Sequence, residues 1–580
     1  MINITYIKDR FVAYCHYDEH IQVKIAGFTW DADFKRWTSS DYRPAEKMKV
    51  YCDQTALVQI KLMSENTKKA IEDSAKVEGS IKIYHPESIT PYPYQIAGVE
   101  YMLKRKSVLL ADEMGLGKTG QAILTMNMRK DVEVLIVCPS IVKYNWLKEA
   151  RKWMIGEITA YIYESKKIRY YTKRMTNHNK KTIIHIINYD ILEKFRERLL
   201  GTPYNFIVCD ESHYIKNAEA KRTKIAQELA RKALWKIFIT GTPIYNKPKD
   251  LYVALNLIDP NTFGNFFNFA SRYCGAKKMN MGGKSIMKFD GATNIDELNQ
   301  ILRSNYMVRR MTKDVLKDLP EKVKDVIVLN EDSLDSIVKQ EQTVIVKSAQ
   351  EQERLKAEIA KLKEMAKENA AYEAVYKDKV KSLKEAKFKS FGELSRLRKE
   401  MGVKKLPYVV EYVKEILENS EDPLSKVVIF GHHTEVLEKL YEAMKKYTPV
   451  IITGKTNESD RQKAITLFKD KNKCRVFIGS MGAAGTGVDG LQNNCNTVVF
   501  AELDWTPSLV EQAEARLARI GQTLPVFVYH IVADGSIDSH IAKLMVQKTA
   551  VAKEILDYRP DQIYEKFVSE AGVQRKQSVS

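Results

Sequence analysis

From residue 107 onward the chain alternates short apolar runs with amphipathic stretches. The runs are SVLLAD (107–112), VEVLIVCPS (132–140), TIIHIINYD (182–190), FIVCDE (206–211) and KIFITGT (236–242). Each is rich in Val and Ile and ends on a polar or small residue. Buried parallel strands look like this when the loops at their C-terminal ends carry function. The intervening GQAILTMNMRK and AKRTKIAQELARKALW have helical spacing. Strand and helix in alternation predict an α/β fold with a doubly wound parallel sheet. The texture returns at KVVIFGHH (426–433), PVIITGK (449–455), CRVFIGS (474–480), TVVFAEL (497–503) and VFVYHIV (526–532). Two α/β lobes are therefore expected.

Elsewhere the pattern changes. Residues 347–400 are dense in Lys, Glu and Ala, with Leu and Ile three and four apart, which predicts a projecting helical pair. Residues 1–85 hold GFTWDADFKRWT, with Trp30 and Trp37 flanking a turn, and predict a small α+β module and linker. Its aromatics beside Lys35 and Arg36 fit either a small core or a surface that stacks on bases. The expected division is 1–85 module, 86–322 lobe 1, 323–405 linker and helical insertion, 406–550 lobe 2 and 551–580 tail.

Composition narrows the partners. Of 580 residues, 44% are hydrophobic and 29% charged, as in a globular protein, and no apolar run reaches eighteen residues, so no membrane span is expected. The N-terminus lacks the pattern of a signal peptide. Seven cysteines with no C-x-x-C pair argue against a zinc ribbon or disulfide framework and fit a reducing cytosol. The net charge of +19 fits a solvated basic surface or a polyanionic partner, nucleic acid first among them.

The candidate chemistry begins at VLLADEMGLGKTGQA (108–122), a strand, a glycine loop and a helix. Gly115 and Gly117 allow backbone N–H groups to close on phosphate oxygens at a helix N-terminus. Lys118 is placed to reach β- and γ-phosphates, and Thr119 to offer a hydroxyl to Mg²⁺. The general phosphate-loop pattern has glycine where Asp112 stands. At IVCDESH (207–213) a strand delivers Asp210, a candidate Mg²⁺ ligand, and Glu211, a candidate general base. Gln95 offers an amide to adenine, and Thr240 and Thr242 end another strand where they can sense the γ-phosphate.

The order of these pieces resembles superfamily 2 helicase motors, specifically the Swi/Snf-like ATPases. In that family the loop reads DEMGLGKT, so Asp112, Glu113, Met114 and Leu116 join Gly115, Gly117, Lys118 and Thr119 in the expected ATP site. YMVRRMTKDVLKDLPEK (306–322) resembles the link out of lobe 1, and GSMGAAGTGVDGLQNNCNTVVFAELDWTPSLVEQAEARLARIGQ (479–522) the fifth and sixth motifs. The resemblance implies two RecA-like lobes, with Gly487 and Gln512 at the nucleotide and Arg516 and Arg519 as arginine fingers from one helix face. Ala515 and Ala518 depart from the family's Q-x-x-D-R-x-H-R. GELSRLRKEMGVKKLPYVVEYVKEIL and the N-terminal module look most like the HARP-type annealing helicases.

A DNA-dependent ATPase that translocates on duplex or forked DNA, remodelling DNA structures or protein–DNA complexes, is expected, using ATP and Mg²⁺ and acting as a monomer; a motor subunit of a restriction/defence or transcription-remodelling complex, or a strand-separating helicase, is the alternative. Ser140, Lys143, Lys455, Arg461 and Gly485 are the expected DNA-backbone contacts. A cytoplasmic or nucleoid-associated setting, and a bacterial or viral source, are expected from the cysteines and the compact length.

Overall fold

The computed structural model describes residues 2–546 apart from 174–179, 242–247, 282–283, 290, 317–319, 370, 421, 471–472 and 486–487. The expected tail 551–580, Thr242 and Gly487 lie outside the described residues.

The N-terminal module pairs β1 (Asn3–Ile7), β2 (Arg10–Tyr14), β3 (Thr29–Asp31) and β4 (Arg36–Ser39) in the antiparallel order β1-β2-β4-β3. Its core holds Ile4, Phe11, Val23 and Phe28. Trp37 is half-buried, whereas Trp30 is 56% exposed, so the two aromatics serve core and surface respectively.

Lobe 1 opens with helix α1 (Pro93–Arg105) and strand β5 (Ser107–Leu110), followed by helix α2 (Lys118–Asn127). The sheet adds β6 (Val132–Cys138), β7 (Glu157–Tyr163), β8 (Ile168–Lys173), β9 (Lys181–Asn188), β10 (Phe206–Cys209) and β11 (Trp235–Ile239). After the hairpin β12 (Ala276–Met281) and β13 (Lys284–Phe289), β14 (Met307–Val308) closes the edge. The order is β14-β5-β11-β10-β6-β9-β7-β8, parallel except for the β7–β8 pair. The five expected strands are its centre; β7 and β8 were not anticipated, because β8 is a half-exposed edge strand rather than an apolar run.

Lobe 2 has six parallel strands: β15 (Lys322–Leu329), β16 (Val427–Gly431), β17 (Val450–Ile452), β18 (Val476–Ser480), β19 (Thr497–Phe500) and β20 (Val526–Ala533). Their order is β15-β20-β19-β16-β18-β17. Val427 and Ile429 pack to one side, Val428 and Phe430 to the other, as the period of two requires. β15 falls in the stretch read as linker, yet it pairs along its length with β20.

The helical pair is longer than expected. α3 (Asp332–Glu368) and α4 (Tyr372–Glu418) begin before residue 347 and end well after 400. Leu394, Leu397 and Met401 of α4 enter the core with Phe477 and Phe500, and Val409, Val413 and Leu417 cover the sheet's other face. The root of the pair is thus part of lobe 2. No described helix is long and apolar enough to cross a membrane.

Candidate nucleotide site between the lobes

Strand β5 is buried from Val108 to Leu110, and the loop leaving it turns through Gly115 at φ 85° and Gly117 at φ 68°. That left-handed backbone suits glycine. Space is tight as well: a Cβ at Gly117 would stand 2.5 Å from Nε2 of Gln95. α2 then starts at Lys118, so its free N–H groups and positive end face the loop. The Lys118 ammonium donates to the Asp112 and Glu113 carbonyls at 2.9 and 3.1 Å. Burial holds it below the ordinary lysine value against the pull of Glu211, Asp112 and Asp210.

Asp112 answers for its unusual place in the loop. Its carboxylate is fully buried and bidentate to Arg310, with Nε–Oδ1 3.0 Å and Nη2–Oδ2 2.5 Å. The Arg310 backbone N–H donates to Oδ1 at 3.0 Å, and Gln121 Nε2 to Oδ2 at 2.9 Å. Asp112 is therefore not free for phosphate; it ties the loop to the chain leaving lobe 1. Glu113 does likewise, accepting from the Thr312 N–H at 2.6 Å. Leu116 is buried, and Met114 packs beside Gly241. Of the expected loop residues, Gly115, Gly117 and Thr119 line a cleft of 370 Å³ together with Gln95.

β10 ends at the acid pair. Asp210 Oδ2 accepts from Trp146 Nε1 at 2.8 Å and Oδ1 from the Glu211 N–H at 3.0 Å. Glu211 has φ 49°, a strained value for a non-glycine residue, and His213 Nδ1 lies 3.3 Å from its Oε2. Burial and the neighbouring Glu211 raise Asp210. Burial acts upward on Glu211 too, but His213, Lys118 and Arg516 outweigh it and bring it below its usual value. Thr240 is buried just past β11, its N–H on the Leu110 carbonyl at 3.1 Å.

Lobe 2 closes the cleft. Helix α5 (Pro507–Glu514) carries buried Gln512 and ends before both arginines. Arg516 and Arg519 were expected on one helix face; they sit instead in the turns after it. The change brings the backbone against lobe 1: a Cβ at Gly115 would stand 3.1 Å from Arg519 Cβ. Arg516 Nε donates to the Gly485 carbonyl at 2.6 Å, and burial, then Arg519, lower the guanidinium to about 10. Arg519 Nη1 meets Asp489 at 2.8 Å, and Asp489 faces Lys148 of lobe 1 at 4.0 Å.

Several expected DNA contacts are otherwise engaged. Lys143 is turned inward, donating to the Tyr163 carbonyl at 2.8 Å and Asn188 at 3.0 Å. Arg461 is buried with Nη1 near the Ala483 carbonyl at 3.5 Å. Gly485 spends its carbonyl on Arg516. Ser140 and Lys455 are exposed. Arg310, Trp146 and Asp489 were not among the expected site residues, although Arg310 stands in the quoted YMVRRMTKD and Asp489 in the quoted GSMGAAGTGVDG.

The cleft fits a nucleoside triphosphate and Mg²⁺. Arg519 lines it beside Gly115, Gly117 and Thr119, while Lys118 and Arg516, each lowered by burial, stand near the acid pair Asp210 and Glu211, where an anion relieves buried positive charge. No cluster of three His, Cys, Asp or Glu exists among the described residues.

Two parallel α/β lobes, one presenting a glycine loop and an acid pair and the other two arginines, define a RecA-like core of the superfamily 2 helicase type. The SNF2-related domain matches residues 94–389, just over half the chain, and the helicase conserved C-terminal domain matches 408–521. The chain belongs to the SNF2-related, SWI/SNF-like family.

Among its relatives is the SWI/SNF-related matrix-associated actin-dependent regulator of chromatin subfamily A-like protein 1 of Xenopus tropicalis. It is 32% identical over 79% of this chain and 44% of its own length. The Caenorhabditis elegans homologue is 33% identical over 80% and 61%. The human DNA annealing helicase and endonuclease ZRANB3 is 31% identical over 81% and 41%. The chain thus spans about half the length of these relatives. A solved Sulfolobus solfataricus SWI2/SNF2 ATPase core in complex with dsDNA aligns with 85% of this chain and 98% of its own, at 23% identity and TM-score 0.36.

Proposed function

We propose that this protein is a DNA-dependent ATPase that translocates on duplex or forked DNA and remodels DNA structures or protein–DNA complexes. The observation that carries the reading is the contact between Arg519 of lobe 2 and Gly115 of the lobe 1 loop. It supports a single triphosphate shared by two halves of the chain.

In this reading the loop N–H groups and Lys118 hold the β- and γ-phosphates, and Gln95 faces the base. Thr119 and Asp210 hold Mg²⁺, which neutralises phosphate charge when bound. Glu211, kept ionised by His213, Lys118 and Arg516, orients the attacking water and takes its proton. Arg516 and Arg519 stabilise charge developing on the γ-phosphoryl oxygens. Thr240 and Thr242 pass the loss of that group to the lobes. DNA lies across the C-terminal strand ends of both lobes, met by exposed Ser140 and Lys455. The names of the relatives, a chromatin regulator and an annealing helicase, support this partner. Seven free cysteines support a reducing compartment, and the chain is taken to act as a monomer.

The test is ATP hydrolysis measured without nucleic acid and with single-stranded, duplex and forked DNA. Stimulation by duplex or fork is expected; equal rates in all four overturn the reading.

A further inference from the structure

The two long helices hold a surface that the ATP cycle does not use. Along α4, Lys377, Lys381, Lys384, Phe388, Gly392 and Lys399 follow one another at spacings of four, three, four, four and seven residues. At 3.6 residues per turn these positions share one face of the helix. Phe388 is 81% exposed, and nothing lies within 4 Å of where a Cβ of Gly392 would stand. A glycine inside a helix costs about 1 kcal/mol against alanine, and here it leaves bare backbone one turn from an exposed ring. The lysine partners on this face are surface acids: Glu373 at 2.9 Å from Lys377, Glu385 at 3.7 Å from Lys381 and, at the base, Glu435 at 2.5 Å from Lys399. Such exposed pairs add little stability, so giving them up for phosphate costs little.

The base of α4 is fixed. Phe391 packs on Trp505 at 5.2 Å between ring centres, and the Arg398 guanidinium lies over the same indole at 4.2 Å. Arg398 is buried and bonded to Asp538 at 2.5 Å and to the Leu503 carbonyl at 2.7 Å. Lys405 donates to the Ile531 carbonyl at 2.8 Å. Gly402 passes against Glu502, just beyond the end of β19. The pair therefore rises from the C-terminal edge of the lobe 2 sheet, the edge where functional loops of a parallel sheet gather. The part beyond Phe391 is roughly 30 Å long at 1.5 Å per residue, and it moves with lobe 2.

We propose that this face of α4 is a second DNA contact, with Lys377, Lys381 and Lys384 on the sugar-phosphate backbone and Phe388 stacked on an unpaired base where the duplex opens. Lysines supply sequence-independent attraction, and an aromatic ring accepts any base. Gly392 lets the strand approach the helix closely. Because the base of the helix is locked to lobe 2, the contact is carried through each opening and closing of the cleft. The inference rests on the DNA-motor reading.

The experiment uses the full chain, wild type, Phe388→Ala and the triple variant Lys377→Gln, Lys381→Gln, Lys384→Gln. Affinity for a plain duplex and for a fork of the same length is measured by anisotropy across a salt series. All these side chains are at the surface, and DNA-free ATP turnover reports that each variant is folded. The triple variant should weaken binding to both DNAs and lower the slope of log affinity against log salt by about two to three, at roughly 0.9 per phosphate contact. Phe388→Ala should weaken fork binding at least fivefold and leave duplex binding within twofold. An unchanged slope in the triple variant, or equal effects of Phe388→Ala on both DNAs, overturns the proposal. If the wild type binds neither DNA, the motor reading itself fails, which is a different result from wild-type binding that the variants share.

Discussion

Asp112 shows how a single side chain can look like ligand chemistry and be architecture. It stands where many phosphate loops have glycine, yet its two oxygens are taken by Arg310, the Arg310 N–H and Gln121. The pair is nearly inaccessible, with 1% and 0% side-chain exposure. Removing one partner of such a pair strands a buried charge and costs about 3–5 kcal/mol. Arg310→Met should therefore lower the unfolding free energy by that amount in a denaturant titration, whereas the surface change Lys377→Gln should leave it within error. Sequence alone showed the loop, its lysine and both acids, because each sits at the end of an apolar run. It could not show the Arg310 contact, which joins residues 198 apart in the chain. Nor could it show that Lys143 turns inward, since a lysine after a strand reads the same whether it faces solvent or a carbonyl.

At the level of elements, the apolar runs located ten strands of the two parallel sheets, and the Lys/Glu/Ala texture located the helical pair. β15 escaped because its first half, Lys322 to Asp325, is charged at three of four positions, which leaves only Val326–Leu329 as an apolar run beside the helical insertion. The arginine turn escaped for another reason: QAEARLAR has helix-forming composition, yet the helix stops at Glu514 and the following turns set Arg519 against Gly115 of the opposite lobe. Long helices were legible as helices, but the depth to which α4 enters the core was not. Truncating Leu397, which is fully buried among lobe 2 aromatics, should cost about 2–5 kcal/mol as Leu397→Ala. Glu341 of α3 gives the same junction a pH dependence. It accepts from the Ile537 N–H at 3.1 Å, and burial raises it to about 7. A folded value above the unfolded one means the native state holds the proton longer, so this contribution to stability is full at low pH and is lost as pH rises through 7. Glu341→Gln keeps the acceptor without the charge. Its melting temperature relative to wild type should rise between pH 5 and pH 8, read by thermal unfolding at both.

Across the whole molecule, the loops of the two lobes face each other, and the described contacts between them include an ion pair at the cleft. Lys148 and Asp489 are 4.0 Å apart, and Arg519 shares the same carboxylate. Such a boundary suits parts that separate and rejoin, since exposed ion pairs add little stability. The charge of +19 makes the same point about the partner: DNA affinity should fall steeply as salt rises from 50 to 200 mM, followed by anisotropy on plain duplex. The central claim is that lobe 1 grips a triphosphate and lobe 2 completes its cleavage. The most direct measurement is single-turnover ATP hydrolysis on duplex DNA by Arg519→Ala, with nucleotide affinity measured alongside. The account predicts a loss of at least about 10³-fold in the rate, with affinity changed only a few-fold. Hydrolysis within tenfold of wild type would contradict it.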